Sequence, residues 1–447
     1  MNQKNEMGTK KMLPLILSMA IPPMISMFIQ SLYNIVDSIF VAKLSTEALN
    51  AVSIIYPLQN LTLSIAVGTG VGLNSYIARS LGAGNRKNAS KACRLGFILS
   101  AVHYALLALL ISLFMPAFIG YFTDSASIQK YCLSYGYIVI VFCFGQIFHI
   151  TVEKLFQSTG QMKIPMILQA VGCLVNIILD PVLIFGVGNI PAMGVTGAAI
   201  ATVIGQMCSC FLGLFLFCRH MAGGKGEFSW KNEADASPAK EILLEIYQIT
   251  VPSTLIMALP SILVSGLNSI LSSFSSLAVS VFGIYYKLQT FVYMPTTGLV
   301  QGIRPIIAYN YGAKQYDRQK EAVRISLLIV GSIMLIGTIL FWSCPSLILS
   351  AFDADVEMTA MGVPALRIIS IGFLPSAVSV IGSAVFESMG FGGKSLFITL
   401  LRQLIILLPL AYILSEIMGL HGIWASFPVA EIMSCILAGV MLRKQHS

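Results

Sequence analysis

The sequence predicts an all-α membrane protein of twelve transmembrane helices, arranged as two related six-helix bundles. Three observations carry that reading: too little charge for a soluble surface, twelve apolar stretches of bilayer length, and a second half that repeats the first. Of 447 residues, 56% are hydrophobic and only 10% charged, against about 25% charged in soluble domains. A soluble chain of this length would divide into domains with polar surfaces, and the charge needed to cover them is missing. The bilayer is then the solvent.

Crossing a bilayer takes about 20 apolar residues. Such stretches fall at 13–42, 48–76, 93–116, 131–152, 164–186, 192–218, 242–270, 277–303, 323–343, 358–385, 396–415 and 421–442. Most of the 27 basic residues lie at the N-terminus (Lys4, Lys10, Lys11) and in every second loop: Arg79–Arg94, Lys154 and Lys163, Arg219–Lys240, Arg304–Arg324, Lys394, then Arg443 and Lys444. The opposite loops hold Lys43 and Lys130, with Asp353, Asp355 and Glu357 in one of them. Lys and Arg concentrate on the cytoplasmic side, so both termini are expected in the cytoplasm, with the chain in the inner (cytoplasmic) membrane. An odd number of spans would scramble the alternation. The N-terminus runs straight into a helix with no small-residue cleavage site, so no removable signal peptide is expected.

A shift of 230 residues lays one half on the other. Pro22 falls on Pro252, Gly68 on Gly298, Gly72 on Gly302, Gly82 on Gly312, and Phe156–Gly160 on Phe386–Gly390. A slightly smaller shift places Gln206 on Glu431. This divides the chain into an N-lobe (1–218), a linker (219–241) and a C-lobe (242–447). Six spans per repeat is even, so both halves point the same way, with the pseudo-symmetry axis along the membrane normal and a substrate site between them.

The net charge of +8 is scattered rather than gathered in a patch, which argues against nucleic acid. The nine cysteines lack paired spacing and read as small hydrophobes. No P-loop, nucleophile elbow or metal-binding helix motif is present. An enzyme is not expected, nor a cofactor; energy must come from an ion gradient, which makes the chain a secondary transporter.

Charge inside a span is costly and persists only beside a cavity or a partner. In the first span Gln30, Asn34 and Asp37 recur at i, i+4 and i+7, one polar stripe on a helix. Asp37 lies six residues before Lys43, about 9 Å inside the helix end at ~1.5 Å per residue. Asp180 lies at matching depth in the fifth span, with Asn176 one turn earlier. The two carboxylates are candidates to share a proton or sodium ion; the alternative is that each only pins its helix locally. Thr202 and Gln206 sit one turn apart in span six. Lys287 is the one clearly central base, and it and Glu431 are candidates for the substrate pathway, with Gln30, Tyr33, Asn34 and Gln206. His103 and His149 read as packed or interfacial, Arg367 and Arg402 as pinning helices, and the 21 methionines as filler. Pro22 and Pro23 remove backbone hydrogen bonds and should bend the helix that bears Asp37.

The chain resembles the multidrug and toxic compound extrusion (MATE) family over essentially its full length. The likeness rests on the Pro22 segment followed by Leu32–Val41, on Gly68–Gly82, on Asn176–Pro181 and on Gly194–Thr202, specific in combination. The resemblance implies two six-helix bundles around a V-shaped cleft, and export of organic cations in exchange for protons or sodium. In the branch with an N-lobe cation site it implies an Asp in span one, an Asn and an Asp in span five and a Thr in span six: Asp37, Asn176, Asp180 and Thr202, which would ligate the metal if sodium is the ion. The other branch uses acids in spans seven and ten; Leu255 and Ser376 lie in those stretches, so the N-lobe is favoured. The expected partners are amphipathic cationic small molecules and the lipid bilayer, and a monomer is expected. The rival is a flippase for a lipid-linked sugar, which would call for a more basic central cavity.

Overall fold

The structure is a computed structural model that describes residues 5–222, 227–228, 236–352 and 354–446. Most of the linker lies outside the described residues, as do Lys4, Lys225, Lys231 and Asp353. After the short helix α1 (Glu6–Thr9), the first half runs α2 (Met12–Ala42), α3 (Thr46–Gly82), α4 (Arg86–Phe122), α5 (Ala126–Val141), α6 (Phe144–Ser158), α7 (Lys163–Phe185) and α8 (Val195–Ala222). The second half runs α9 (Ala239–Ser272), α10 (Ser276–Gly312), α11 (Tyr316–Ser343), the short α12 (Pro345–Ser350), α13 (Val356–Ser370) and α14 (Phe373–Met389). It ends with α15 (Gly392–Leu400), a π-helical turn (Leu401–Ile405), α16 (Leu407–Met418) and α17 (Leu420–His446).

Among the described residues nine segments, counting Gly392–Met418 as one, are long and apolar enough to cross a bilayer. The bent pairs α5–α6 (41°) and α13–α14 (48°) add two. Helix α10 falls short of that apolarity because Lys287, Gln289, Gln301 and Arg304 interrupt it, yet it is 37 residues long and matches α3 at the repeat offset. It is the twelfth long segment of the bundle.

The repeat seen in the sequence recurs as local geometry. Ser45 and Ser275 cap α3 and α10, each side chain accepting from the backbone N–H three residues on. Gly160 (φ 86°) and Gly390 (φ 97°) follow α6 and α14 in a conformation that a Cβ would strain. The breaks at Phe142–Cys143 and Ile371–Gly372 are likewise repeat-related. Pro375, early in α14, offers no N–H to the Ile371 carbonyl, which accounts for the second break.

The halves meet across a seam with the same two-fold logic. A Cβ on Gly68 would stand 2.9 Å from the Thr250 carbonyl of α9, and one on Gly298 would stand 2.8 Å from the Met24 nitrogen of α2. One turn further, Gly72 faces the Ile246 carbonyl (2.7 Å) and Gly302 the Met19 carbonyl (2.6 Å). The seam runs from mid-length to the end bearing both termini. There Ser75 donates to the Glu387 and Ser388 carbonyls (2.8 and 2.9 Å), and Arg318 donates to the Met7 and Lys10 carbonyls (3.3 and 2.8 Å).

Helix α2 is continuous through Pro22 and Pro23. The prolines leave the Ser18 and Met19 carbonyls without helical donors, so they weaken the helix without breaking it. That weak point lies against Gly302. Gly302→Leu should therefore wedge the seam and lower stability by about 1–3 kcal/mol, the usual cost of overpacking; an unchanged melting temperature in detergent would contradict this close approach.

Candidate functional site

Helices α2 and α7 bring the Asp37 and Asp180 carboxyls within hydrogen-bonding reach of each other. Asp180 is fully buried, and neither of its carboxyl oxygens has a protein partner. Asp37 is half-buried. Among the described residues neither acid forms an ion pair. One turn before Asp180, the buried Asn176 donates its Nδ2 to Thr202 Oγ1 at 3.3 Å, which leaves its Oδ1 without a partner. The Tyr33 hydroxyl lies within reach of Thr202. Tyr135 of α5 stands beside the pair, its hydroxyl accepting from Gln59 Nε2 at 3.3 Å. The face of α2 turned to the site carries Gln30, Tyr33 and Asp37. Asn34, expected on the same stripe, is exposed: the face leans to the i+3 side of Gln30 rather than to i+4.

Beside the acids lies a cavity of about 480 Å³, walled by α2, α3, α6, α7 and α8 and closed by α9, α10 and α14 of the other half. Gln30, Tyr33, Asn176, Thr202 and Gln206 line it. Asp37 and Asp180 do not line it, whereas their neighbours Tyr33, Asn176 and Thr202 do.

The floor of this cavity corrects the sequence reading. Lys287 is exposed and outside it, and Glu431 faces Arg402 (3.8 Å) in a separate compartment of the second half. The cations that do line the cavity are Lys154 and Arg304, both taken from the sequence as loop residues. Helices α6 and α10 simply continue past the apolar stretches that ended at 152 and 303. Lys154 Nζ donates to Glu153 Oε1 (2.9 Å), Gln157 Oε1 (3.0 Å) and, across the seam, Gln301 Oε1 (3.3 Å). Arg304 Nη2 pairs with Glu387 Oε2 at 2.6 Å, and Ser253 donates to Glu387 Oε1 at 3.0 Å. The signal was in the repeat: Gln157 and Glu387 occupy the same place in Phe156–Gly160 and Phe386–Gly390. His149 is buried and lines the cavity as well.

The acid pair, with Asn176 Oδ1 and Thr202 Oγ1, forms a set of oxygen donors suited to a proton or a hard cation such as sodium. Among the described residues no group of three or more His, Cys, Asp or Glu side chains is placed to hold a metal ion.

A sequence model of the family described as MatE matches residues 22–182 and again 252–413, so the two matched segments begin 230 residues apart. The FAD transporter of Shewanella oneidensis is 26% identical over 428 residues, 94% of this chain and 91% of the relative. The multidrug export protein MepA of Staphylococcus aureus (strain MSSA476) is 25% identical over 426 residues, 95% of this chain and 91% of the relative. Among solved structures, one described as the outward-facing conformation of a multidrug resistance MATE family transporter superposes with a TM-score of 0.90 at 24% identity, covering 100% of this chain and 98% of its own. A Pyrococcus furiosus transporter of the MOP superfamily, described as having a binding pocket of reversed polarity, matches at 0.87 and 24%, with the same coverage. At these identities the structural likeness bears on fold alone.

Thr202→Val should strand the buried Asn176 amide and cost about 1–3 kcal/mol. Thr202→Ser, which keeps the hydroxyl, should melt near wild type in detergent; equal melting of Thr202→Val and wild type would contradict the hydrogen bond.

Proposed function

The chain belongs to the MatE family of membrane transporters, and we propose that it is an antiporter exporting amphipathic organic cations from the cytoplasm in exchange for a proton or sodium ion. The observation that carries this reading is the Asp37–Asp180 pair: two acids within hydrogen-bonding reach, one fully buried, without a basic partner among the described residues. Two carboxylates at such range repel strongly in a low-dielectric surrounding, and a proton or cation between them removes the repulsion.

Tyr33, Asn176 and Thr202 belong to both the acid site and the cavity wall, so an ion on the acids alters the wall that a substrate touches. A change of charge on the pair would shift Asp37 against Asp180, flex α2 at its weakened Pro22–Pro23 turn and shrink the cavity. With Lys and Arg marking the cytoplasmic side, the glycine seam and the cavity floor of Lys154 and Arg304 lie toward the cytoplasm. Of the relatives, one is named a multidrug export protein, in line with this reading, and one an FAD transporter, whose substrate bears a pyrophosphate.

The test is efflux of a fluorescent organic cation from proteoliposomes, driven separately by a pH gradient and by a sodium gradient. Asp37→Asn and Asp180→Asn should each cut gradient-driven efflux about tenfold or more, a loss of at least about 1.4 kcal/mol of coupling, while both variants still insert in the membrane. Full efflux by either variant would overturn the assignment.

A further inference from the structure

The acid site leaves the opposite end of the cavity unexplained. The geometry points to Lys154 and Arg304 as a subsite for a carboxylate or phosphate group, so that zwitterionic and anionic amphiphiles are substrates alongside simple cations. This rests on the transport reading above and extends its substrate range.

Three features of the floor support it. First, the Lys154 ammonium is buried at the cavity wall, paired with Glu153 Oε1 at 2.9 Å, and its other two acceptors are the neutral amide oxygens of Gln157 and Gln301. Charge-assisted hydrogen bonds are roughly twice as strong as neutral ones, so an incoming anionic oxygen displaces an amide with a net gain. Second, Arg304 commits only Nη2, to Glu387; its Nε has no partner. Gln301, the acceptor from Lys154, sits one turn before Arg304 on α10, so the two cations approach the same part of the floor from opposite lobes. Third, the wall is rich in hydrogen-bonding amides (Gln30, Gln146, Gln157, Gln169, Gln206 and Gln301), whereas Tyr33 is its only Phe, Tyr or Trp. A pocket that took only greasy cations would be expected to offer more aromatic surface.

The cavity thus has two poles. Its Tyr33–Asn176–Thr202 end, with the acids behind it, suits the cationic part of a molecule, and its floor suits an anionic part. Because Gln301 reaches Lys154 across the seam, an anion that displaces it also removes one hydrogen bond between the lobes.

Tetramethylrhodamine and its methyl ester form a matched pair of probes: the first is a zwitterion with a free carboxylate, the second a cation. Fluorescence polarisation with purified protein gives each Kd without any gradient, so a failure of ion coupling leaves this test standing. Lys154→Gln should raise the Kd of the free acid about tenfold or more, as expected for one lost charge-assisted hydrogen bond, and that of the ester about threefold at most. Lys154→Arg, which keeps the cation, should hold free-acid binding within about threefold of wild type, and monodisperse elution in detergent guards against a misfolded Lys154→Gln. In proteoliposomes the wild type should export both probes. Equal weakening of both probes by a monodisperse Lys154→Gln, equal loss of free-acid binding in Lys154→Arg and Lys154→Gln, or a wild type that binds only the ester would each overturn the subsite.

Discussion

Two acids held within reach of each other and away from water are the constraint around which the rest of this molecule is arranged. Burying one charge in a low-dielectric interior costs several kcal/mol, and a second like charge beside it adds to that cost. Asp180 has neither a basic neighbour nor a protein hydrogen-bond donor to offset it. Such a pair is stable only with something positive between the carboxyls. Its neighbours Tyr33, Asn176 and Thr202 line the cavity, and Asp37 is carried on a helix with two consecutive prolines. Occupancy of the acids and the shape of the cavity are therefore properties of the same few residues.

The two halves share a scaffold but have divided the chemistry. Capping serines, left-handed glycines, helix breaks and seam glycines all recur at the repeat offset, because each is a backbone requirement that both bundles must meet. The acid pair does not recur: Leu267 and Leu410 stand 230 residues on from Asp37 and Asp180. Where the first half has its acid pair, the second half sets Glu431 opposite Arg402, on the π-helical turn, and closes Ser376 with the Tyr293 hydroxyl at 2.7 Å. Arg402 is a tethered cation, so the acid of that lobe has a counter-charge facing it. Among the described residues, the first lobe holds an acid pair without one.

Much of the fold was legible because it follows from coarse signals. Apolar length and the alternation of Lys and Arg report spans directly, and matched Gly and Pro report the repeat. The sequence marked Gly68, Gly72, Gly298 and Gly302 as repeat positions; the structure adds that they are where backbones of opposite lobes touch. Asp37 and Asp180 stood out because an acid in a span is conspicuous. Lys154, Arg304 and Glu387 did not, since they lie just beyond the apolar stretches, where a charged residue reads as loop. Hydropathy measures the thickness of the bilayer, whereas a helix continues as long as its backbone and packing allow, and here the extra turns form the cavity floor. Lys287 misled for the converse reason: depth along a helix says nothing about which side of it a residue occupies. Asn34 against Tyr33 is the same ambiguity at one-residue scale.

The most direct measure of the central claim is the number of protons released by purified protein in lightly buffered solution when sodium or an exported cation is added. An acid pair that exchanges one positive species for another should release about one proton per molecule, and the Asp37→Asn/Asp180→Asn double variant should release none. Equal release by both proteins would show that the exchange takes place elsewhere.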